Sequence, residues 1–538
     1  MARRLTSFSK LLITLLILVF LFFGGRYLLQ STEFGKNLTD QAEQATADRE
    51  SDSKASSADN KSGNGNTVNS SSRDANDDVL KVQLVSWGGY APGLYFNEGA
   101  KASTRSRYFK EYGVKVEFIL ENDLFNALDA WIAGEYDVIV QTADAFPLYT
   151  APSDINQFKP QAFMQVDWSR GGDALIAKRG INSANDLKGK KVAVTVPSPS
   201  QTMLITALEA AGLDYKDIEV VKTSDNFKAA ELFRSNDIDA AVVWSPDDIF
   251  ATKDVPGSKV LLTSREQSNI IADIMFAKAD VISKKGKQIN AFYEGWMKAV
   301  AELKNKSNQE KAAKYLAEFN QLSVDDAKGM MDNVYWTTHG DNLNFFGLNS
   351  GFKGMKGGNL YEKMSRKFVE TGDAETEAPS WRSVINTSAI SSANLSGNAH
   401  AAEKSPTFQP ATEADKQAPA FAKKPVSISF NTGQYQLSEN AKTLIDLQFV
   451  ELAKSYGNVK IRVEGNTDST GGYQMNKDLS QKRAKAVSDY LINEYGMNRN
   501  RFVIVGNGPD KPVAGCESNS TEACKAKNRR TEFQLISS

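Results

Sequence analysis

Two long polar tracts divide this chain of 538 residues and limit where it can fold. Residues 36–78 contain no Trp, Tyr or Phe and are dominated by Ser, Asp, Asn and Ala. Such a tract cannot bury enough apolar surface to offset the entropy lost on ordering. Residues 388–424 have a similar composition. We therefore predict disordered linkers over 31–78 and 388–424, which leave a large domain at 79–387 and a small domain at 425–538.

The N-terminal segment is typical of a membrane anchor. Arg3, Arg4 and Lys10 precede the apolar run 11–23, but no small-residue cleavage site follows it. Extended to Leu29, the segment can just span a bilayer, with its basic flank in the cytoplasm. We predict an uncleaved signal anchor over residues 1–30 of a single-pass inner-membrane protein whose remaining chain is periplasmic. A cleaved leader is the alternative, and it would give a periplasmic or outer-membrane-associated protein.

Charge and composition exclude some classes of protein. The chain has 64 Lys and Arg against 65 Asp and Glu, so it lacks the basic excess of a general nucleic-acid binder. Its 41% apolar content, with 28 Phe, 17 Tyr and 7 Trp, is enough for hydrophobic cores. We expect folded domains and no nucleic-acid partner.

Histidine and cysteine are scarce. The two histidines are His339 and His400, and His400 lies in a polar tract. The chain therefore has almost none of the histidines and cysteines that a Ser-His-Asp triad, a Cys-His dyad or a His/Cys zinc site requires. We predict a protein that is not an enzyme and that has no metal or cofactor. Cys516 and Cys524 lie close together in an exported domain, which favours a disulfide over two free thiols.

Strand and helix signals alternate along the large domain. Residues 82–85, 114–120 and 136–140 have the β-branched or buried character of strands, and a helical pattern lies between the last two. Repeated βα alternation predicts parallel sheets covered by helices, and a length above 300 residues favours two lobes. The small domain combines strands with two long helical patterns, which predicts an α/β sandwich with helices on one face.

Several polar and aromatic residues follow predicted strands or begin a helix in the large domain. Open α/β sheets bind ligands at the carboxyl ends of their strands, and a helix N-terminus offers free N–H groups to an anion. Ser200 acting only as a helix cap, and the aromatic residues acting only as core, are the alternatives. Acids in this set would suit an amine or a hydroxyl better than a bare anion. The predicted solute-binding residues are Trp87, Gly88, Gly89, Tyr90, Asp144, Asp173, Ser198, Ser200, Gln201, Thr202, Trp244 and Ser245.

The second half of the large domain carries a family resemblance. It runs through Asp186-Leu-Lys-Gly-Lys-Lys-Val-Ala-Val-Thr, Pro197-Ser-Pro-Ser-Gln-Thr, Leu208-Glu-Ala-Ala-Gly-Leu and Asp239-Ala-Ala-Val-Val-Trp. Residues 80–370 resemble type 2 periplasmic solute-binding proteins, most of all the nitrate/taurine/aliphatic-sulfonate branch. The resemblance implies a small solute held between two closing lobes, with an ABC permease as partner. Thiamine-precursor synthases resemble the same fold, but they use histidine and cysteine chemistry that this region lacks apart from His339.

The small domain carries three motifs in a fixed order. They are Gly465-Asn-Thr-Asp468-Ser-Thr-Gly471, Asn476-x-x-Leu479-Ser-x-x-Arg483-Ala-x-x-Val487 and Asn528-Arg529-Arg530-Thr-Glu. Together they resemble the OmpA-like peptidoglycan-binding domain, whose members bind the diaminopimelate of cell-wall stem peptides. The departure is Asn466, where many members carry His.

The chemistry of this ligand suits two of the motif residues. Diaminopimelate presents an ammonium and a carboxylate on one carbon. Asp468 can accept from the ammonium, and the fork of Arg483 can grip the carboxylate. A simple Asp468–Arg483 ion pair is the alternative. By resemblance, Thr467, Asn476 and Leu479 shape the pocket and Arg529 supplies a further donor.

The predicted fold class is thus multidomain α/β and α+β: a membrane helix, a two-lobed periplasmic-binding-protein domain and an OmpA-like α/β sandwich. The leading hypothesis is a non-enzymatic envelope protein that binds peptidoglycan and a small solute, for import or for sensing. The alternative is a structural tether between inner membrane and cell wall, in which the solute-binding fold serves as an interaction domain. Flagellar-stator proteins resemble this architecture but need an acid in the membrane helix, and residues 11–23 contain none.

Overall fold

The computed structural model describes residues 78–537 apart from 236, 427, 429, 431 and 432, and the described residues belong to one compact unit. The predicted anchor at 1–30 and all of the predicted linker at 31–78 except Asp78 lie outside the described residues. Within the described part of the chain, no helix is long and apolar enough to cross a bilayer.

Sixteen strands are present in the described residues. In chain order they are β1 Val79–Leu84, β2 Lys115–Leu120, β3 Val138–Thr142, β4 Pro160–Gln165, β5 Asp167–Ser169, β6 Asp173–Ala177, β7 Lys191–Thr195, β8 Glu219–Thr223, β9 Ala240–Trp244, β10 Lys259–Thr263, β11 Asp273–Lys278, β12 Val334–Trp336, β13 Ala420–Val426, β14 Lys460–Asn466, β15 Phe502–Gly508 and β16 Thr531–Ile536.

Helices alternate with these strands and cover their faces. Those of the large domain are α1 Ala91–Asn97, α2 Arg107–Tyr112, α3 Leu124–Ala133, α4 Pro147–Thr150, α5 Ser153–Asn156, α6 Pro199–Ala210, α7 Asn226–Arg234, α8 Asp247–Asp254, α9 Ala279–Lys284, α10 Gly286–Leu303, α11 Lys306–Asn320, α12 Val324–Met331, α13 His339–Phe345 and α14 Gly357–Glu370. The remaining helices are α15 Ser388–Ser392, α16 Glu413–Gln417, α17 Glu439–Ile445, α18 Glu451–Ser455, α19 Tyr473–Tyr495 and α20 Glu522–Asn528.

Two five-stranded sheets form the two lobes of the large domain, as predicted. The first lobe has the strand order β2-β1-β3-β11-β4, and the second has the order β10-β6-β9-β7-β8. Neither sheet is wholly parallel, because β11 runs antiparallel to β3 and β6 runs antiparallel to β9. The chain leaves the first lobe after β4 and returns at β11, so strands next to these crossings reverse direction. The short β5–β12 ribbon lies beside the crossing.

The small domain is a four-stranded sheet, in the order β13-β16-β14-β15, with α19 packed on β14 and β15. Its first strand is β13, Ala420–Val426, which begins before residue 425, the predicted start of the small domain. A stretch of π-helix, Asp446–Val450, lies between α17 and α18. The α/β sandwich with helices on one face agrees with the sequence prediction.

Residues 388–424 differ from the disordered linker predicted from their composition. They include α15, α16 and the start of β13, and Ile390 and Phe408 are buried. Glu403 forms an ion pair with Arg170, with 2.6 Å between Oε1 and Nη1. The carbonyl of His400 accepts a hydrogen bond from the Gly340 N–H at 2.8 Å. Contacts with both domains therefore offset the entropy lost when this segment is ordered.

The small domain packs directly on the second lobe. Leu204 and Leu208 of α6 share one buried apolar cluster with Tyr456 of the small domain. The Tyr456 hydroxyl accepts a hydrogen bond from Gln267 Nε2 at 2.7 Å, and Asn269 Nδ2 donates to the carbonyl of Lys454 at 3.0 Å. The two domains thus form one body in the described chain rather than two modules on a flexible tether.

Candidate functional site

Four buried aspartates lie where the two lobes meet. Asp144 follows β3, and Asp273 opens β11 opposite the last residue of β3. Asp173 opens β6 in the second lobe, and Asp167 belongs to β5 beside the crossing. Their residue exposures are 0% for Asp144 and Asp167, 5% for Asp173 and 8% for Asp273. The fold thus brings carboxyl groups from both lobes to one buried region.

Burial raises the pKa of each of these carboxyl groups. The pKa of Asp144 rises to about 7, although the nearby hydroxyls of Thr202 and Thr142 act in the opposite direction. Burial likewise raises the pKa of Asp273 to about 7 and that of Asp173 to about 6. The pKa of Asp167 is raised well above its ordinary value by burial and then by the charge of Asp273. Among the described residues, none of the four is in an ion pair with a cationic side chain.

The predicted segment Trp87-Gly88-Gly89-Tyr90 contacts this aspartate cluster. Trp87 Nε1 donates to Asp167 Oδ2 at 3.1 Å, and the Tyr90 hydroxyl donates to Asp273 Oδ2 at 2.6 Å. A Cβ at Gly89 would lie 1.6 Å from Asp167 Oδ2, so the close approach requires glycine. Gly88 is packed against the Met330 carbonyl in the same way.

The predicted residues at the start of α6 have separate roles. Ser198 is the helix cap, because its Oγ accepts from the Ser200 N–H at 3.2 Å. Ser200 Oγ instead accepts from Trp244 Nε1 at 3.0 Å, so the cap role given to Ser200 as the alternative belongs to Ser198. Gln201 Nε2 donates to Asp373 Oδ2 at 2.5 Å, which links α6 to the segment after α14. Thr202 is fully buried near Asp144.

Two further predicted residues and two missed ones complete this region. Asp173 Oδ2 accepts from Ser169 Oγ at 2.7 Å, and the Ser245 N–H donates to the Gly172 carbonyl at 2.8 Å. Asp167 and Asp273 were not among the solute-binding residues predicted from the sequence. Each is the first residue of a strand next to a crossing between the lobes. The alternation of strand and helix signals along the chain does not reveal which strands become neighbours in a sheet.

The predicted wall-binding residues of the small domain also come together. Asp468 Oδ2 lies 2.5 Å from Arg529 Nη1, and Asp468 Oδ1 accepts from the Thr470 N–H at 2.9 Å. Burial alone would raise the pKa of Asp468, but the hydrogen bonds from Arg529 and Thr470 outweigh it and the pKa is lowered. Asp468 therefore stays ionised. The alternative prediction was an ion pair between Asp468 and Arg483. Among the described residues, Asp468 instead forms its ion pair with Arg529.

Arg483 is held beside this aspartate. Its Nε donates to the carbonyl of Gln434 at 3.1 Å, and its guanidinium lies 4.8 Å from the centre of the Phe430 ring. Burial lowers its pKa, which the charge of Asp468 opposes and that of Arg529 reinforces. The side chain is thus fixed within electrostatic range of Asp468 and Arg529.

The remaining motif residues shape the loop around Asp468. The Thr467 N–H donates to the Gly508 carbonyl at 2.9 Å, and the buried Thr467 hydroxyl makes no hydrogen bond. Asn476 Nδ2 donates to the Thr470 carbonyl at 3.0 Å, and Leu479 is half-buried one turn along α19. Asn466, the departure from the family pattern, accepts from Asn507 Nδ2 at 3.1 Å and so still hydrogen-bonds at this loop.

Cys516 and Cys524 form the predicted disulfide, with 2.09 Å between the sulfur atoms. It closes the loop that leads into α20 and Arg529. In the described chain, no group of three or more His, Cys, Asp or Glu side chains could hold a metal ion. His339 is buried, and its Nδ1 lies 2.8 Å from the hydroxyl of Tyr293.

Comparisons with known proteins divide the chain in the same way. A model described as "NMT1/THI5 like" matches residues 102–310, and the OmpA family matches residues 429–529. Outer membrane porin F of Pseudomonas aeruginosa is 36% identical over 110 residues, which are 20% of this chain and 30% of the porin. Probable lipoprotein YiaD of Escherichia coli is 39% identical over 112 residues, which are 21% of this chain and 48% of the lipoprotein.

The chain thus spans less than half the length of each of these two relatives. Among solved structures, the periplasmic aliphatic sulphonate binding protein SsuA of Escherichia coli is 18% identical, with a TM-score of 0.45. That alignment covers 57% of this chain and 97% of the solved one. Each family match lies within one of the two folded domains, so the chain joins an NMT1/THI5-like domain to an OmpA family domain.

Proposed function

We propose that this chain is a non-enzymatic cell-envelope protein that binds peptidoglycan through its OmpA family domain. The observation that carries the proposal is the group formed by Asp468, Arg483 and Arg529. It places an ionised carboxylate beside two guanidinium groups, which matches the ammonium and carboxylate of a diaminopimelate side chain.

The details of this group support such a ligand. The lowered pKa of Asp468 keeps the carboxylate charged, so it can accept from an ammonium. Arg483 offers a planar fork for the ligand carboxylate, and Arg529 is the more exposed of the two cations, with 40% of its side chain accessible. The buried Thr467 hydroxyl has an unused hydrogen-bonding capacity that a ligand could satisfy.

The two-lobed domain is proposed to bind a small polar solute where its lobes meet. Support comes from the buried polar residues contributed by both lobes, including Asp144, Asp173 and Thr202. A sulfonate, nitrate or another small polar ligand follows from the resemblance, and delivery to an ABC permease or sensing would be its use. The packing of the small domain on the second lobe favours one alternative, in which the solute-binding fold serves as an interaction domain of an envelope tether.

We also propose a location for this chain in the cell envelope. The basic flank and apolar run at residues 1–30 support a single-pass anchor in the inner membrane, with the folded domains in the periplasm. An outer-membrane or periplasmic location after leader cleavage is the alternative. The disulfide suits an oxidising compartment in either case.

Cosedimentation with purified peptidoglycan tests the wall-binding proposal. Arg483→Lys should reduce the bound fraction at least tenfold, because a point charge cannot reproduce the bidentate contact with a carboxylate. Arg499→Lys is the matched control, since the Arg499 side chain is 69% exposed in the same domain. Equal binding by the natural chain and Arg483→Lys would contradict the proposal, as would equal losses in both variants.

A further inference from the structure

We propose that the solute held between the lobes is a small organic cation whose protonated amine hydrogen-bonds to Asp144, with the other members of the aspartate cluster, Asp167, Asp173 and Asp273, adding negative charge around it. This inference rests on the proposed solute binding and names its ligand class. It reverses the charge expected from the sulfonate and nitrate resemblance.

The aspartate cluster is buried without a compensating positive charge. All four aspartates are at most 8% exposed, and no cationic side chain in the described chain forms an ion pair with them. Burying a carboxylate without a partner is costly, and several carboxylates in one region repel each other as well. A bound cation removes both costs, whereas a bound anion adds a further like charge.

Several carboxylate oxygens of the cluster are unused hydrogen-bond acceptors. Both carboxylate oxygens of Asp144 and Asp167 Oδ1 are buried without a hydrogen bond of ordinary geometry, and so is the Thr202 hydroxyl. The Thr202 and Thr142 hydroxyls lie near enough to Asp144 to lower its pKa, so they offset only part of the effect of its burial. Acceptor oxygens require donors, and an ammonium carries up to three N–H groups and no acceptor. The chemistry of the unpartnered atoms therefore matches a protonated amine.

The residues of the proposed site come from both lobes. Asp144 and Asp273 belong to the first lobe, whereas Asp173 and Thr202 belong to the second. A cation bound among them would interact with both lobes at once, so it would favour the closed arrangement over an open one. The indole of Trp87, already bonded to Asp167, provides an aromatic neighbour that suits a cation better than an anion.

Isothermal titration of the full chain at pH 7.5 tests the ligand class. The probes are ethanolamine, putrescine, spermidine and choline as cations, with ethanesulfonate and nitrate as anions. We expect saturable binding of at least one amine and none of the anions. Asp144→Asn should weaken amine binding at least tenfold, and Asp129→Asn, an exposed aspartate on α3, should leave it unchanged. Asp273→Asn is a second variant if Asp144→Asn folds poorly.

The outcomes separate this inference from the proposed function. Binding of ethanesulfonate or nitrate without any amine would overturn the cation and leave solute binding intact. Amine binding that Asp144→Asn and Asp273→Asn both retain in full would also overturn it, because the site would lie elsewhere. An absence of binding by every probe would count against both the cation and the solute-binding proposal.

Discussion

At the scale of single residues, the buried aspartates are the most unusual feature of this molecule. Natural domains seldom bury carboxyl groups without a cationic partner, because desolvation favours the neutral acid. Here burial raises the pKa of Asp144 from an ordinary 3.8 to about 7. Without ligand, Asp144 is therefore protonated in the folded chain at pH values where the unfolded chain has already lost that proton.

This difference predicts a pH-dependent stability. Between about pH 4 and pH 7 the folded state holds the proton of Asp144 and the unfolded state does not, so stability falls as pH rises through that window and levels off above it. Each such group contributes up to about 1.4 kcal/mol per pH unit. Asp144→Asn should reduce the loss between pH 5 and pH 8, measured by urea unfolding in amine-free buffer. An unchanged loss would show that Asp144 ionises normally in the folded chain.

At the scale of elements, residues 388–424 form an ordered strap over both domains. The strap is held on the large domain at Glu403, which pairs with Arg170 and whose N–H donates to Asp341 Oδ1 at 2.7 Å. Farther along, its backbone carbonyls accept hydrogen bonds from Arg462 and Asn500 of the small domain, so polar contacts hold a segment whose apolar side chains are mostly alanine.

This arrangement predicts resistance to proteolysis. Trypsin should cleave slowly after Lys404 in the natural chain, although that side chain is exposed, because cleavage requires the strap to open locally. Glu403→Ala removes the ion pair with Arg170 and should speed cleavage there severalfold, measured by mass analysis of a time course. Glu413→Ala, which affects only an exposed pair within α16, is the control. Fast cleavage of the natural chain after Lys404 would support a flexible linker instead.

The same elements show what sequence patterns reveal and what they do not. The N-terminus of helix α6 was predictable because Ser198, Ser200 and Thr202 begin a helical pattern there. The grouping of Asp468, Arg483 and Arg529 was predictable because the motifs are local and ordered. The strap was not, because its order depends on contacts with residues such as Arg170 that lie more than 200 positions away. Asp167 and Asp273 were missed for a related reason: only the crossings between lobes bring them beside Asp144.

At the scale of the whole molecule, the OmpA family domain and the second lobe behave as one body. Tyr456 lies in the apolar cluster of α6, the helix whose first turn lies near Asp144. Closure of the lobes would therefore move the first lobe relative to a body formed by the second lobe and the OmpA family domain. The proposed anchoring on peptidoglycan and the proposed solute binding would then be compatible, because the two candidate sites use separate residues.

Binding of the wall peptide at Asp468 is the central claim, and titration with a stem peptide that ends in meso-diaminopimelate tests it most directly. The full chain should bind one peptide per molecule. Asp468→Ala should abolish that binding because the ligand ammonium loses its anionic partner, whereas Asp144→Asn should bind as tightly as the natural chain. The claim would be contradicted if the natural chain gave no binding, or if Asp468→Ala bound the peptide with unchanged affinity.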